Sequence, residues 1–210
     1  PAFYISNKVT INYLTTNLEP NKQEIKNALK NFNLIIPEGS FILLKGPSGS
    51  GKSTICNILN KYINDYDGNI LLGAINIKDL SINTIRKNII YVNQNENIFS
   101  GTIRENIVLD KKISEVDFQY ISYLCKIDEI VKKRPLRFET FISPDENNLS
   151  GGERQRVALA RLFFDDSKII ILDEATSAMD NITEKLVMEN VVKQLDNKTL
   201  VVIAHRLETI

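Results

Sequence analysis

One glycine-rich segment constrains the fold of this chain more than any other feature. It reads GPSGSGKS from Gly46 to Ser53 and matches the pattern G-x-x-x-x-G-K-[ST]. An apolar run at Phe41–Leu44 precedes it, and apolar residues at helical spacing, beginning with Ile55 and Ile58, follow it. A strand, a glycine-rich loop and a helix in this order predict a phosphate-binding loop, because the loop N–H groups and the positive end of the helix then face the phosphates.

Nucleotide binding is the chemistry expected of this loop. Lys52 supplies a positive charge to the β and γ phosphates, and Ser53 places its hydroxyl on Mg²⁺. An ordinary Gly/Ser turn is the competing interpretation, and the strand–loop–helix setting disfavours it. The residues predicted to bind the nucleotide here are Gly46, Pro47, Ser48, Gly49, Ser50, Gly51, Lys52, Ser53 and Thr54.

Three further apolar runs have the length and the flanking residues of buried strands. They are Ile89–Val92, Ile169–Leu172 and Leu200–Ala204. Short apolar runs alone do not exclude buried helix. Because helical patterns separate the runs, strand and helix alternate along the chain, and this alternation predicts an α/β fold with a mostly parallel sheet.

Two other regions depart from this alternation. The opening stretch from Phe3 to Tyr13, with Asn69–Leu72 and Ile75–Ile77, predicts a small antiparallel sheet beside the parallel one. The segment from Gly101 to about Arg134 reads as consecutive helices without a strand, so we expect it to be part of an inserted helical subdomain.

Two adjacent carboxylates follow the third apolar run, where open α/β sheets bind their ligands. We expect Asp173 to hold Mg²⁺ through its water shell and Glu174 to orient or deprotonate the attacking water. A lone Asp-Glu pair is as often two solvated acids at a strand end. The phosphate loop elsewhere in the chain favours the catalytic interpretation.

The second and fourth runs also end in polar residues. Gln94 is expected to reach Mg²⁺ or the attacking water, and His205, the single histidine, to donate to the γ-phosphate. Taken singly, each is better interpreted as a satisfied surface residue. Agreement across four strand ends favours one catalytic edge of the sheet, with Glu174, His205 and Gln94 as catalytic residues.

A second anion site is predicted near position 150. Ser and two glycines precede a helical pattern there, and a helix N-terminus binds anions. A plain Ser N-cap followed by glycines is the alternative. One nucleotide does not need two such sites, so we expect this one to serve the ATP of a neighbouring subunit. Its residues are Leu149, Ser150, Gly151, Gly152 and Glu153.

Composition excludes several other classes of protein. Lys+Arg and Asp+Glu both number 26, so charge gives no reason to expect a nucleic-acid surface. Cys56 and Cys125 lack metal or disulfide spacing and favour a reducing setting. No apolar stretch approaches the roughly 20 residues of a membrane span. Starting at Pro1 and ending at Ile210 after a strand-like run, the chain reads as a domain excised from a longer one.

Together these segments resemble the ABC ATPase family over essentially the whole chain. The order of phosphate loop, Gln94, LSGGE, ILDEATSAMD and AHRL is similar to the family's complete motif set. The resemblance implies the P-loop NTPase (ABC ATPase) fold over residues 1–210, with a helical subdomain at about 95–165. Tyr13 looks like the aromatic residue that stacks on adenine, with Tyr4 as a neighbouring candidate.

The resemblance also implies partners and cofactors. These are ATP, Mg²⁺, a second ABC subunit in a head-to-tail dimer, and a transmembrane domain fused upstream, with the chain truncated at its C-terminal end. The loop from Ser177 to Asp180 looks like the one that couples the two ATP sites across the dimer, with Met179 in place of the usual leucine. Its residues are Ser177, Ala178, Met179 and Asp180.

Within the family, several sequence segments resemble those of exporters. They include Ala175 after the Asp-Glu pair, and Arg134–Thr140 is similar to bacterial exporters of bacteriocins and other small peptides. We therefore expect ATP hydrolysis coupled to peptide export at the cytoplasmic face of a bacterial cell membrane. The alternatives are a multidrug or lipid exporter cassette and a non-transport ABC ATPase.

Two departures from the family pattern are present. Asn93 replaces a proline before Gln94, and Ser143–Asn147 lacks the usual glycine-glutamate-glycine pattern. The second departure concerns contact with the transmembrane domain and leaves the ATP chemistry unchanged.

Overall fold

The structure, a computed structural model, describes residues 9–16, 32–47, 49–94, 98–145 and 148–204, the first range by its backbone alone. In chain order the strands are β1 (Val9–Thr16), β2 (Phe32–Ile36), β3 (Phe41–Leu44), β4 (Tyr66–Leu72), β5 (Ile75–Asn76), β6 (Ile89–Val92), β7 (Gly101–Thr102), β8 (Phe141–Ile142), β9 (Ile169–Asp173) and β10 (Thr199–Ile203). The α-helices are α1 (Lys52–Leu59), α2 (Ile82–Asn88), α3 (Ile103–Val108), α4 (Glu115–Leu124), α5 (Ile127–Lys132), α6 (Gly151–Ala160) and α7 (Asn181–Gln194).

The chain divides into two compact units. The first comprises residues 1–91, 166–173 and 196–203, and the second comprises residues 92–165, 174–195 and 204–210.

The larger sheet of the first unit has the strand order β3-β10-β9-β6. Strand β10 lies parallel to β3 on one side and to β9 on the other, with Ile203 opposite both Leu44 and Asp173. The predicted mostly parallel sheet is confirmed. This register sets the carboxyl ends of β3 and β9 at one level, so the loop after β3 and the carboxylate of Asp173 emerge at the same edge.

The smaller sheet of this unit is antiparallel, with the order β2-β1-β4-β5. It confirms the predicted antiparallel sheet, although β1 begins at Val9, and residues 3–8 lie outside the described ranges. Ile77 was expected in a strand, and this was wrong. It opens a 3₁₀ turn because the side chain of Asn76 accepts a hydrogen bond from the Lys78 N–H at 3.0 Å and ends the strand.

The core of the first unit lies around β9 and β10, whose residues are all buried. Strands covered on both faces read as continuous apolar runs, which is the pattern that the sequence shows. Helix α1 contributes Ile55, Cys56, Ile58 and Leu59 to this core. The face of α1 that is buried is therefore set by its apolar residues, and its first turn carries Lys52 and Ser53.

The second unit has a core of its own, formed mainly by α3 to α6. Its fully buried members include Ile103, Phe118, Ile127 and Val157. Gly101 and Thr102 were expected to be helical, and instead form β7, which pairs antiparallel with β8. The partner strand is distant in sequence, so a local pattern could not reveal the pairing. Among the described helices, none combines the length and the apolar character that crossing a lipid bilayer demands.

Candidate nucleotide-binding site

The phosphate loop links β3 to α1 through a backbone conformation that requires glycine. Gly51 is the N-cap of α1, has φ of 88° and provides no side chain for capping. A residue with a Cβ is strained in this left-handed region, whereas glycine adopts it freely. The glycine thus lets the chain turn directly from the loop into the helix. Ser48 lies outside the described residues.

Lys52 is buried at the start of α1, and its ammonium group points back into the loop. Nζ donates hydrogen bonds to the carbonyl oxygens of Gly46 at 2.8 Å and Pro47 at 2.9 Å, and lies 3.5 Å from Ser50 Oγ. The loop therefore holds a positive charge at the helix N-terminus. Phosphate oxygens would compete well for this ammonium group, because hydrogen bonds between charged groups are stronger than those to neutral carbonyls.

The next two residues of α1 carry hydroxyl groups. Ser53 is exposed and Thr54 is half-buried, and both lie in the first turn. The unpaired N–H groups and the dipole of this turn favour negative charge nearby. Backbone and side chains of this segment thus offer donors to the same anion.

Asp173 ends β9 and is almost fully buried, at 6% exposure. Its Oδ2 accepts a hydrogen bond from the Tyr91 hydroxyl at 2.9 Å. Its Oδ1 is buried and accepts no hydrogen bond from the described residues. A buried polar atom left without a partner costs about 1–3 kcal/mol, and a free carboxylate oxygen is a ligand that suits Mg²⁺ or its bound water. The residues therefore fit the cation that the family implies.

Helix α1 faces this carboxylate. Burial and then the negative charge of Asp173 raise the pKa of the Cys56 thiol, which lies one turn beyond Lys52. The thiol is therefore neutral and packs as a small apolar group. Asp173 and the N-terminal part of α1 therefore lie close together within the first unit.

Glu174 follows Asp173 directly in the chain and adopts an unusual backbone conformation. Its φ is 54°, in the left-handed region that non-glycine residues seldom occupy. Such a conformation costs on the order of 1 kcal/mol or more and is typical of functional sites. The Ser177 N–H donates to the Glu174 carbonyl at 3.1 Å and closes the turn that follows.

The structure gives less information about three other residues predicted to belong to the site. Gln94 is exposed two residues after β6. His205 lies outside the described residues, as does the side chain of Tyr13, whose backbone belongs to β1. The roles of these three residues stay predictions.

Ser150 is the N-cap of α6 and forms a capping box. Its Oγ accepts from the Glu153 N–H at 3.2 Å, while its own N–H donates to Glu153 Oε2 at 2.9 Å. The N-cap interpretation of Ser150 is therefore correct for its side chain. The N–H groups of Gly151 and Gly152 have no intrahelical partner in this first turn, which keeps donors available for an anion. Leu149 anchors the segment in the core of the second unit.

Arg134 holds this capping box from outside. Its Nη2 donates to Glu153 Oε2 at 3.2 Å and to the Asn148 carbonyl at 2.8 Å. Although burial would raise the pKa of Glu153, hydrogen bonds from the Ser150 N–H and from Arg134 hold this pKa below its ordinary value. Sequence reasoning missed this contact, since nothing local links the two residues.

The loop from Ser177 to Asp180 lies against the first turn of α6. A Cβ added to Gly152 would lie 2.9 Å from the Ala178 carbonyl oxygen, so only glycine fits without displacing backbone. Gln155, at 1% exposure, donates to Ser177 Oγ at 3.3 Å and accepts from the Ala178 N–H at 2.9 Å. The predicted signature segment and the predicted coupling loop are thus joined within one chain. Gln155 was not identified from the sequence.

The other end of this loop is also fixed. Met179 is buried and Asp180 caps α7, accepting from the Thr183 N–H at 2.9 Å. That hydrogen bond lowers the pKa of Asp180, so the cap is a carboxylate at neutral pH.

Comparison with known proteins identifies the family to which these motifs belong. A family model described as ABC transporter matches residues 29–177, more than half of the chain. The chain belongs to the ABC transporter family. Membership in this family makes the chain an ATPase domain.

Individual ABC transporters resemble the chain closely. An ATP-dependent lipid A-core flippase of Neisseria meningitidis is 37% identical over 201 residues, covering 95% of this chain and 32% of the relative. The lactococcin-G-processing and transport ATP-binding protein LagD of Lactococcus lactis is 40% identical over 182 residues, covering 85% of this chain and 26% of the relative. The chain spans about a third or less of the length of the curated relatives that it matches.

A solved structure gives the same picture of the fold. A bacterial Atm1-family ABC exporter with ATP bound superimposes with a TM-score of 0.87 at 29% identity, covering 100% of this chain and 36% of that one. The predicted ABC ATPase fold is confirmed.

Proposed function

We propose that this chain is the ATP-hydrolysing motor domain of an ABC exporter. The observation that carries the proposal is one edge of the parallel sheet, where the phosphate loop with Lys52 and the carboxylate of Asp173 emerge at the same level. The exporters and the flippase among the similar proteins support the direction of transport.

In this mechanism the phosphate loop binds the triphosphate. Lys52 exchanges its loop carbonyls for β- and γ-phosphate oxygens, and the N–H groups after Gly51 add further donors. Tyr13 stacks on the adenine. Ser53, Gln94 and, through water, Asp173 would hold Mg²⁺, which would neutralise charge on the phosphates.

Hydrolysis needs a positioned water and a proton acceptor. Glu174 accepts a proton from the attacking water, whose oxygen bonds to the γ-phosphorus as the bond to the β–γ bridging oxygen breaks. His205 donates a hydrogen bond to the γ-phosphate. The products are ADP and inorganic phosphate.

Each ATP then lies between two subunits. The first turn of α6, with Ser150, Gly151 and Gly152, directs its N–H groups to the ATP held by the neighbouring subunit's phosphate loop. Because Gln155 and Gly152 fix the Ser177–Asp180 loop to this turn, a movement of one is transmitted to the other. Dimer closure on ATP and opening after hydrolysis would drive a transmembrane domain fused upstream, at the cytoplasmic face of a bacterial cell membrane.

A small, bacteriocin-like peptide is the proposed cargo. The similarity to LagD supports it, since that relative is described as processing and transporting lactococcin G. A lipid is the second candidate, favoured by the similarity to the lipid A-core flippase.

The ATPase proposal is tested by replacing the proton acceptor. We expect Glu174→Gln to lower ATP turnover by about 10²–10⁴-fold, while ATP affinity stays within about twofold because the phosphate loop is untouched. Phosphate release and fluorescent-nucleotide binding measure the two quantities. Glu189→Gln, at an exposed position on α7, is the matched control and should retain turnover. Equal turnover in Glu174→Gln and wild type would reject the motor function.

The cargo is tested on the longer protein that contains this chain, reconstituted in lipid vesicles. We expect a leader-bearing bacteriocin peptide to stimulate ATP hydrolysis and to accumulate inside vesicles whose ATPase domains face outward. Stimulation by lipid A and not by peptide would assign the cargo to the lipid class instead.

A further inference from the structure

The hydroxyl of the partly buried Tyr91 donates a hydrogen bond to Asp173, a residue of the proposed ATPase site. Tyr91 belongs to β6, the strand next to β9 in the sheet. Its hydroxyl oxygen is 2.9 Å from Asp173 Oδ2. Its ring lies against Tyr62, with centroids 6.2 Å apart and planes tilted by 55°. The phenol is thus fixed at its ring by packing and at its tip by the carboxylate.

The two oxygens of Asp173 are consequently not equivalent. Oδ2 has a donor, whereas Oδ1 is buried without a partner among the described residues. A hydroxyl has one proton to donate, and Tyr91 commits it to Oδ2. Rotation of the carboxylate would break this hydrogen bond, so Oδ1 is held in one direction.

We propose that Tyr91 is a positioning residue that orients the Asp173 carboxylate, so that Oδ1 faces the hydrated Mg²⁺ of the bound nucleotide. Loss of a partner that orients a metal ligand typically lowers metal affinity by about 10–100-fold. The inference rests on the proposed ATPase function. It adds a residue of β6 to a site otherwise built from the phosphate loop and β9.

The competing interpretation is that Tyr91 only satisfies a buried carboxylate and stabilises the fold. The two interpretations differ in how much Mg²⁺ strengthens the binding of the nucleotide. An orienting residue changes the ratio of the nucleotide's dissociation constants without and with Mg²⁺. A purely structural residue changes stability and leaves this ratio alone.

The test measures that ratio for a β,γ-imido ATP analogue by calorimetric titration in EDTA and in saturating Mg²⁺. For Tyr91→Phe we expect affinity in EDTA to stay within about twofold, because Lys52 and the loop are intact, and the enhancement by Mg²⁺ to fall on the order of tenfold. Tyr62→Phe is the matched control. It removes the hydroxyl of the neighbouring ring, which is 60% exposed, and should keep the wild-type ratio.

A double-mutant cycle tests whether Tyr91 acts on Mg²⁺ binding through Asp173. In an Asp173→Asn background, Tyr91→Phe should cause no further loss of Mg²⁺ enhancement, since the group it orients has been changed. An additional tenfold loss there would overturn the inference. So would a wild-type ratio in Tyr91→Phe itself.

A measurement on the unsubstituted protein covers the case in which Tyr91→Phe does not fold. In a chain labelled with ¹³Cζ-tyrosine, Mg²⁺ added to the analogue-loaded protein should shift one of the seven tyrosine signals, and Asp173→Asn should abolish the shift. If no tyrosine signal responds, the inference fails while nucleotide binding stands. If wild type binds no analogue, or Mg²⁺ does not strengthen its binding, the proposed ATPase function fails together with the inference.

Discussion

The contact between Arg134 and Glu153 predicts a measurable effect on the stability of the second unit. The guanidinium donates to Glu153 at 3.2 and 3.4 Å, to the Asn148 carbonyl at 2.8 Å and to the Ile130 carbonyl at 2.6 Å. The side chains of the ion pair are only 16% and 18% exposed. Arg134→Met keeps an unbranched apolar side chain and removes all four hydrogen bonds.

The expected loss of stability on Arg134→Met follows from this intermediate burial of the ion pair. Exposed ion pairs contribute about 0–1 kcal/mol, and breaking a fully buried pair costs about 3–5 kcal/mol. With two carbonyl acceptors also losing their donor, we expect the free energy of unfolding to fall by about 2–3 kcal/mol. In a domain of this size that corresponds to a decrease in melting temperature of about 4–12 °C.

Urea unfolding followed by circular dichroism measures this change. Lys133→Met is the matched control, because it removes one positive charge from an exposed neighbouring position and should change stability by less than about 0.5 kcal/mol. A Glu153→Gln partner completes a double-mutant cycle, and we expect a coupling energy of about 1–2 kcal/mol. If Arg134→Met is as stable as Lys133→Met, the contact does not support the first turn of α6, and this reasoning is wrong.

Two further predictions concern the same turn. Gly152→Ala places a Cβ 2.9 Å from the Ala178 carbonyl oxygen, and we expect it to lower the free energy of unfolding by about 1–2 kcal/mol despite alanine's better helix propensity; a melting temperature at or above that of wild type would contradict this. Because the pKa of Glu153 is lowered from 4.5 in the folded state, its carboxylate contributes stability above that pH, and the contribution is lost as the pH falls through the lowered pKa. Glu153→Gln should therefore lose less stability than wild type as the pH falls below about 4.5. Chemical unfolding at a series of pH values measures this, and an equal loss in the two proteins would exclude the effect.

Several parts of the fold could be predicted because they depend on neighbouring residues. The runs at Phe41–Leu44 and Ile169–Leu172 form strands of the parallel sheet, since an apolar run flanked by polar residues can satisfy its backbone best inside a sheet. The second run is buried as expected, whereas the first is only partly buried and Phe41 is exposed. Ile77 was assigned wrongly because the side chain of Asn76 ended the strand by capping its own backbone. Local capping competed there with strand propensity.

The residues of the candidate site likewise differ in whether the sequence alone can predict them. The phosphate loop, the Asp-Glu pair and the signature segment can be identified from the sequence, because each is a short contiguous motif with a fixed chemical task. The roles of Gln94, His205 and Tyr13 stay predictions. No contiguous motif contains Tyr91 with Asp173, or Arg134 with Glu153.

The sequence by itself determined the family and the class of the fold, and it predicts which residues bind phosphate. Only the tertiary structure decided which distant side chains support them. Tyr91 and Asp173 meet because β6 and β9 are neighbours in the sheet, and Gln155 reaches Ala178 because α6 packs against the loop before α7. Such pairings depend on strand order and helix packing, which result from burying the whole apolar surface at once, and no local stretch of sequence contains that information.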